Sequence, residues 1–463
     1  MLGRLTSAIS NLTTSAGPAP EASHHGPVRV QAYSALAKKL QDDGVPVSLA
    51  DCNACDNPCE TTSNSDPSSA PEGRGSVAEL YDGLSGGKSY EEYVNEKYGD
   101  LGELPKGFDM DWETDLYDSS KGGKGRIVVI STGKSDWERD HVDEKDSLAH
   151  HLDNVISSAP TPKAASTKPS NHSTLPYIAP SAFPAPSEPL TSPIPVQPSL
   201  YSSSLISQSD DPSDQTVLVF PDWKVTLEIE NTKQGAQGLY DAQLDGKLGR
   251  AGKKLSEVNA KEVESGLDRR RSWVLPYRAI VLLCSHKKRD KRCHIAAPLL
   301  RSALHTVLSK YDIAIDEDGS SLAYLSDQGP ALEEVEGDAL EREKEVGRRI
   351  EAIEGVHGGE GGQVGVYNIN HLGGHRYAGV MIVLFPSGAY ISYGRVTPQE
   401  IPRVVEDTIL GGKIVPGLLR NAVGVARPTN SGSSANDTGI GAETDSSDRV
   451  ASAKASGRGF LSW

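Results

Sequence analysis

Short, wholly apolar runs stand out along this chain against a polar background. Arg126-Ile-Val-Val-Ile-Ser-Thr132 ends at Gly133, and Ala279-Ile-Val-Leu-Leu283 leads straight into Cys284. Such runs, bounded by turn formers, predict buried strands. Residues 217–220, 225–229 and 364–369 predict further strands, and 380–385 with 389–393 flank Pro386-Ser387-Gly388 as a hairpin. Helical spacing shows at 33–40, over 139–156, over 332–353, and at Ile401, Val404, Val405 and Ile409. Leu299, Leu300, Leu304 and Leu308 share another helical face, whose first turn is expected at Pro298.

These elements predict an α+β fold in two thioredoxin-like lobes. The second lobe runs strand, loop, helix, strand, hairpin, helix, which is the order of a thioredoxin-like domain by fold analogy. A repeat supports two lobes: Arg126 to Arg139 parallels Arg278 to Lys291, each a strand entering a polar loop. The expected order begins with a disordered N-terminus over 1–27 and an N-terminal lobe over 28–157. A disordered linker over 158–215 and a connecting segment over 216–269, with strands returning to the first lobe, follow. The second lobe then covers 270–425, with an acidic insert at 316–363 carrying a surface helix, and a disordered tail covers 426–463. The linker holds 12 of the chain's 29 prolines among Ser, Thr and Ala. Such a stretch buries too little apolar surface to offset its ordering entropy.

At 463 residues the chain exceeds one ordinary core. Its formal charge of −16 disfavours binding to a nucleic-acid backbone. No apolar run approaches the roughly 20 residues of a membrane span. Neither nucleic acid nor membrane is therefore an expected partner. The first residues carry Arg4, several Ser and Thr, and no acid before Glu21, with Leu2, Leu5, Ile9 and Leu12 at helical spacing. Mitochondrial presequences share those features, but a single arginine leaves the cytoplasm as the expected location, with the nucleus also open. The five cysteines are an odd, clustered set, unlike a secreted disulfide framework.

Chemistry concentrates in two short segments. Cys284 and Cys293 bracket Ser-His-Lys-Lys-Arg-Asp-Lys-Arg, and His371 and His375 bracket Leu-Gly-Gly. Two thiolates and two imidazoles suit zinc or an iron–sulfur cluster. Cys-x8-Cys is wide for a zinc finger, whereas His-x3-His is ordinary for zinc. Lys287, Lys288, Arg289, Lys291 and Arg292 are expected to lower the thiol pKa values. Cys52, Cys55 and Cys59, with His24 or His25, form a candidate second metal site or a thiol cluster. Gly133-Lys134-Ser135 is no phosphate loop, since Val128 stands where its first glycine belongs. No pair of carboxylates reads as a glycosidase acid and nucleophile.

The span from about Pro276 to Ile409 resembles the sucrase/ferredoxin-like family. The matching pieces are Cys284-x8-Cys293, His371-Leu-Gly-Gly-His375-Arg-Tyr-Ala-Gly379 and Tyr393-Gly-Arg-Val-Thr-Pro398, with Ser131-Thr-Gly-Lys-Ser-Asp-Trp137 in the N-terminal half. The resemblance implies a thioredoxin-like ferredoxin domain holding a [2Fe–2S] cluster on Cys284, Cys293, His371 and His375, with the cysteines on one iron and the histidines on the other. It implies an electron-transfer role in cytosolic redox, oxidative-stress or actin-patch-related homeostasis, with a redox partner that the sequence does not name. Two neutral histidines leave the cluster less negative than four thiolates do, so a higher potential is expected, with electron uptake coupled to histidine protonation. Leu461-Ser462-Trp463 resembles the terminal tripeptide by which clients dock on the cytosolic iron–sulfur targeting complex. Two other classes compete: a thioredoxin-like thiol–disulfide oxidoreductase and a structural zinc module.

Overall fold

The computed structural model describes residues 27–48, 90–160, 197–250, 252 and 270–425, with 113, 121, 124 and 247 excepted. Helices α1 (Pro27–Asp42) and α2 (Tyr90–Tyr98) precede β1 (Ile127–Ser131), α3 (Leu148–Ser158) and β2 (Ser199–Ser203). Strands β3 (Gln215–Phe220) and β4 (Lys224–Ile229), helix α4 (Lys233–Leu239) and β5 (Ser272–Val274) come next. Strand β6 (Ala279–Cys284) enters α5 (Lys291–Leu308), β7 (Ala314–Asp316), α6 (Ala339–Glu351) and β8 (Gln363–Ile369). The hairpin β9 (Met381–Leu384) and β10 (Tyr390–Tyr393), a helical stretch over 398–410 and β11 (Leu419–Val423) complete the set. No helix among the described residues is long and apolar enough to cross a membrane.

One mixed sheet runs through the molecule, in the order β11-β10-β9-β6-β8-β2-β1-β3-β4-β5, with β7 also beside β8. Every residue of β1 and of β6 is buried, which explains their unbroken apolar runs: both faces are covered. In the first half, β2 lies parallel to β1 on one side and β3 antiparallel on the other, with β4 beyond it. In the second half, β8 lies parallel to β6 and β9 antiparallel, with β10 beyond it. The two halves thus trace one strand order. Arg126 and Arg278, both buried, precede the first strand of each. Arg126 pairs with Asp222 at 2.7 Å, and Arg278 donates to the carbonyls of Gly359 and Gly361, both at 2.7 Å.

The halves are not separate bodies on a linker, as the sequence suggested, but parts of one sheet. They meet where β2 passes β8 antiparallel, at Ser203 opposite Ile369. The Asn370 amide donates to Ser202 O at 3.0 Å, and the Ser202 amide donates to Asn370 Oδ1 at 3.0 Å. The expected linker therefore ends early. Strand β2 lies inside it, where Ser199-Leu-Tyr-Ser-Ser203 has no apolar run to announce a strand. Its last two serines, Ser202 and Ser203, are buried with their hydroxyls bonded: Ser203 Oγ donates to Ile130 O at 2.9 Å, and Ser202 Oγ lies 2.9 Å from His141 Nδ1. Residues 161–196 of that stretch lie outside the described residues, as do the expected disordered ends over 1–26 and 426–463.

Two other expectations change. Helix α5 starts at Lys291, because the Asp290 side chain accepts from the Arg292 amide, so Pro298 falls within the helix rather than in its first turn. The insert is not a surface appendage. Val346 and Ile350 of α6 are fully buried beside Trp223 and Val274 of the first half, and Glu343 pairs with Arg250 at 2.9 Å.

An electrostatic clamp ties helix α2 to the helical stretch over 398–410. Glu406 accepts from Tyr93 at 2.8 Å, from Tyr311 at 2.7 Å, from Lys97 at 3.0 Å, and also from Tyr98. Burial acts to raise its pKa, but the phenol and ammonium donors prevail and hold it below the usual range. A depressed carboxylate contributes stability that is complete above its unfolded value of about 4.3 and is lost as pH falls through the folded value. Glu406→Gln is expected to cost about 1.5–3 kcal/mol at neutral pH. It should also flatten the rise of stability with pH below about 5. Urea unfolding across that range checks both effects, and an unaltered slope would remove Glu406 as its source.

Candidate metal centre

Strands β6 and β8 run parallel, with Cys284 opposite Ile369. Parallel strands end at the same edge, so the loops after them emerge side by side. The Cys284 amide donates to Val380 O at 3.1 Å and the Ser285 amide to Ile369 O at 3.2 Å, which locks both loops to the sheet end. The turn after Cys284 closes when Asp290 caps α5, and this sets Cys293 in the first turn of that helix. Cys284 and Cys293 are 2% and 1% exposed, and both are free thiols. They form a small cluster with Val380, flanked by Leu372.

The Cys293 thiol hydrogen-bonds the Cys284 sulfur, and this bond is the main force holding the Cys284 pKa well below its ordinary value. Burial opposes that shift, while hydrogen bonds from His371 and the Leu372 amide reinforce it. The same thiol–thiol bond, followed by burial, pushes the Cys293 pKa far up.

The histidine loop turns on two glycines. Gly373 and Gly374 sit at φ +72° and +67°, the left-handed region that glycine enters most easily. The turn sets the His371 and His375 rings 5.4 Å apart, tilted by 38°. His371 is half-buried and His375 is exposed. His371 Nδ1 is buried without a hydrogen-bond partner. All four residues singled out from the sequence thus come to one place, with His371 touching Cys284 and His375 beside His371. Among the described residues, no three His, Cys, Asp or Glu side chains converge as they would around a single ion. Two free buried thiols and an unpartnered imidazole nitrogen are a donor set that fits a metal centre.

The basic loop does not act on the thiols as the sequence suggested. Lys288 pairs with Glu138 at 2.6 Å, and Arg292 pairs with Asp290 at 2.9 Å and Asp109 at 3.1 Å. Of these cations, Arg292 lowers the Cys293 pKa, but as the last and smallest of the named influences. Cys52, Cys55, Cys59, His24 and His25 lie outside the described residues, as do Leu461, Ser462 and Trp463.

Supporting residues that the sequence did not reveal come from far along the chain. The loop after β1 packs on the loop after β6. His286 donates from Nε2 to Trp137 O at 2.9 Å, and the Lys288 amide donates to Asp136 at 3.1 Å. A strap crosses the other side: the Asp111 amide donates to Arg376 O at 2.8 Å, Arg395 to Asp111 O at 2.6 Å, and Tyr377 to Asp115 O at 3.2 Å. Arg420 lies against Gly374, where an added Cβ would come 2.4 Å from its Nη2. No local spacing encodes these contacts, so only the fold displays them.

The sucrase/ferredoxin-like family matches residues 117–421. Among curated proteins, the chain is similar to altered inheritance of mitochondria protein 32 of Debaryomyces hansenii, 29% identical over 147 residues, or 31% of this chain and 36% of that protein. The same protein of Clavispora lusitaniae is 26% identical over 144 residues, covering 31% and 35% of the two chains. Actin patches distal protein 1 of Saccharomyces cerevisiae is 27% identical over 197 residues, covering 42% and 46%. The chain therefore spans less than half the length of these curated relatives. No solved structure matches it.

The two loop glycines should respond differently to alanine. At Gly373 a Cβ meets nothing within 4 Å, so the cost is that of a left-handed backbone, about 1–2 kcal/mol. Gly374→Ala adds the clash with buried Arg420 and should cost more. Thermal or denaturant unfolding of both variants checks the order; equal losses would mean that Arg420 does not confine the loop.

Proposed function

The chain belongs to the sucrase/ferredoxin-like family, and we propose that it is an electron-transfer protein whose Cys284, Cys293, His371 and His375 hold a [2Fe–2S] cluster. The observation that carries this reading is the meeting of two buried, mutually hydrogen-bonded thiols with a histidine whose buried Nδ1 has no partner. A [2Fe–2S] centre would ask four protein donors in all. Cysteines from one loop and histidines from the other meet that demand. When bound, such a cluster supplies one-electron chemistry at a potential above that of an all-cysteine ferredoxin.

The chain's own residues divide the remaining work. Cys284 and Cys293 sit sealed from water, while exposed His375 is placed to exchange a proton with solvent. The repeated order of strand, helix, parallel strand and antiparallel hairpin supports assigning a thioredoxin-like fold to each half, the second being the ferredoxin domain. The same reading includes a cytoplasmic location and docking through Leu461, Ser462 and Trp463 on the cytosolic iron–sulfur targeting complex. Redox, oxidative-stress or actin-patch-related homeostasis is its cellular setting.

A second reading, thiol–disulfide exchange, draws support from the adjacency of the same two thiols. Anaerobically purified protein separates the two. The cluster reading expects visible absorbance with iron and acid-labile sulfide in equal amounts, and colourless protein that reduces disulfides would replace it with the second. Zinc without colour would overturn both. His375→Cys should keep the colour and lower the potential. A potential that does not change with pH between about 6 and 10 would remove proton uptake at the histidines from the reading.

A further inference from the structure

Arg420, on β11, is 1% exposed, yet among the described residues it forms no ion pair. Its Nε donates to Ser119 Oγ at 3.2 Å and its Nη2 to Ser119 O at 3.3 Å, while Nη1 is buried without a partner. Two glycines make room for it. A Cβ on Gly374 would come 2.4 Å from Nη2, and one on Gly394 would come 2.8 Å from Cδ. Gly374 lies between His371 and His375, so the guanidinium rests on the backbone that links them. The groups whose charges act on it are Tyr390, Cys284, Tyr377 and Cys293.

A buried cation with neutral hydrogen-bond partners is costly unless an anion compensates it. The thiols are the acidic groups in its field that a metal would ionise. We infer that Arg420 is the buried counter-charge of this centre and a positioning residue for the His371–His375 loop. The inference rests on the cluster reading. The oxidised cluster with two thiolates and two neutral imidazoles has no net charge, and one electron makes it negative. A fixed cation beside it stabilises the reduced form more than the oxidised one and raises the potential.

The test is a redox titration of the purified holoprotein, followed by visible absorbance and by electron paramagnetic resonance of the reduced form. Arg420→Gln should lower the reduction equilibrium constant at least tenfold, which is about 59 mV for one electron. Arg420→Lys keeps the charge and should remain within about threefold of the wild type, or about 28 mV. Ser119→Asp sets a carboxylate beside the guanidinium and should lower the constant in the same sense as Arg420→Gln, without removing a buried side chain. It decides the matter alone if Arg420→Gln does not fold. Arg420→Gln and Ser119→Asp variants that keep the wild-type spectrum and shift the constant less than threefold would overturn the inference and leave the cluster reading intact. Wild-type protein without iron and sulfide would overturn both.

Discussion

A parallel pair of strands delivers two chain segments to the same edge of a sheet, and the centre depends on one such pair. Cys284 opposes Ile369 across β6 and β8, so a cysteine and the histidine loop leave the sheet together although 87 positions separate Cys284 from His371 (371 − 284). An antiparallel pairing would send them to opposite ends. Strand β9 then returns along β6, and its approach supplies the Val380 carbonyl that holds the Cys284 amide. The chain between the two ligand segments is absorbed into α5, β7 and the insert without disturbing this register, because insertions at loops leave strand pairing unchanged.

The duplicated strand order explains the surroundings of the site. The halves meet through equivalent strands, β2 and β8, which brings their equivalent loops together over the seam. In the repeat, Thr132 stands where Cys284 does and His141 where Cys293 does, so the first loop offers no thiol. It acts as a wall instead. It contributes Asp136 and Glu138, and the second loop contributes Lys288, with one pair at 2.6 Å. The basic residues that read from sequence as thiol-activating are in large part joined to this wall and to the strap. Exposed pairs of this kind add little energy singly, but the buried bond from the His286 side chain to Trp137 O fixes the register of loop on loop.

What was legible in the sequence followed from local rules. Unbroken apolar runs announced β1 and β6, turn residues announced the β9–β10 hairpin, and the chemistry of two thiols and two imidazoles singled out the four residues that the loops bring together. The rest depended on contacts distant in sequence. Strand β2 ends in two serines that are buried with their hydroxyls bonded to Ile130 O and His141 Nδ1, and a hydropathy pattern reads them as linker. The start of α5 depended on one Asp290 hydrogen bond. The apolar face of α6 resembled that of a surface helix until Trp223 and Val274 were placed against it.

The site is asymmetric in its access to water, and that asymmetry ties the chemistry to the fold. The thiol pair packs against Val380 and Leu372, at 2% and 1% exposure, while His375 faces solvent on a glycine-built turn. In a low-dielectric pocket a charge on sulfur is costly unless it is shared or countered. Here the Cys293 thiol favours such a charge on Cys284, and the Arg420 guanidinium lies behind the histidine loop. The sheet register therefore does more than gather four ligands. It sets the two thiols on the sealed side and His375 on the open side.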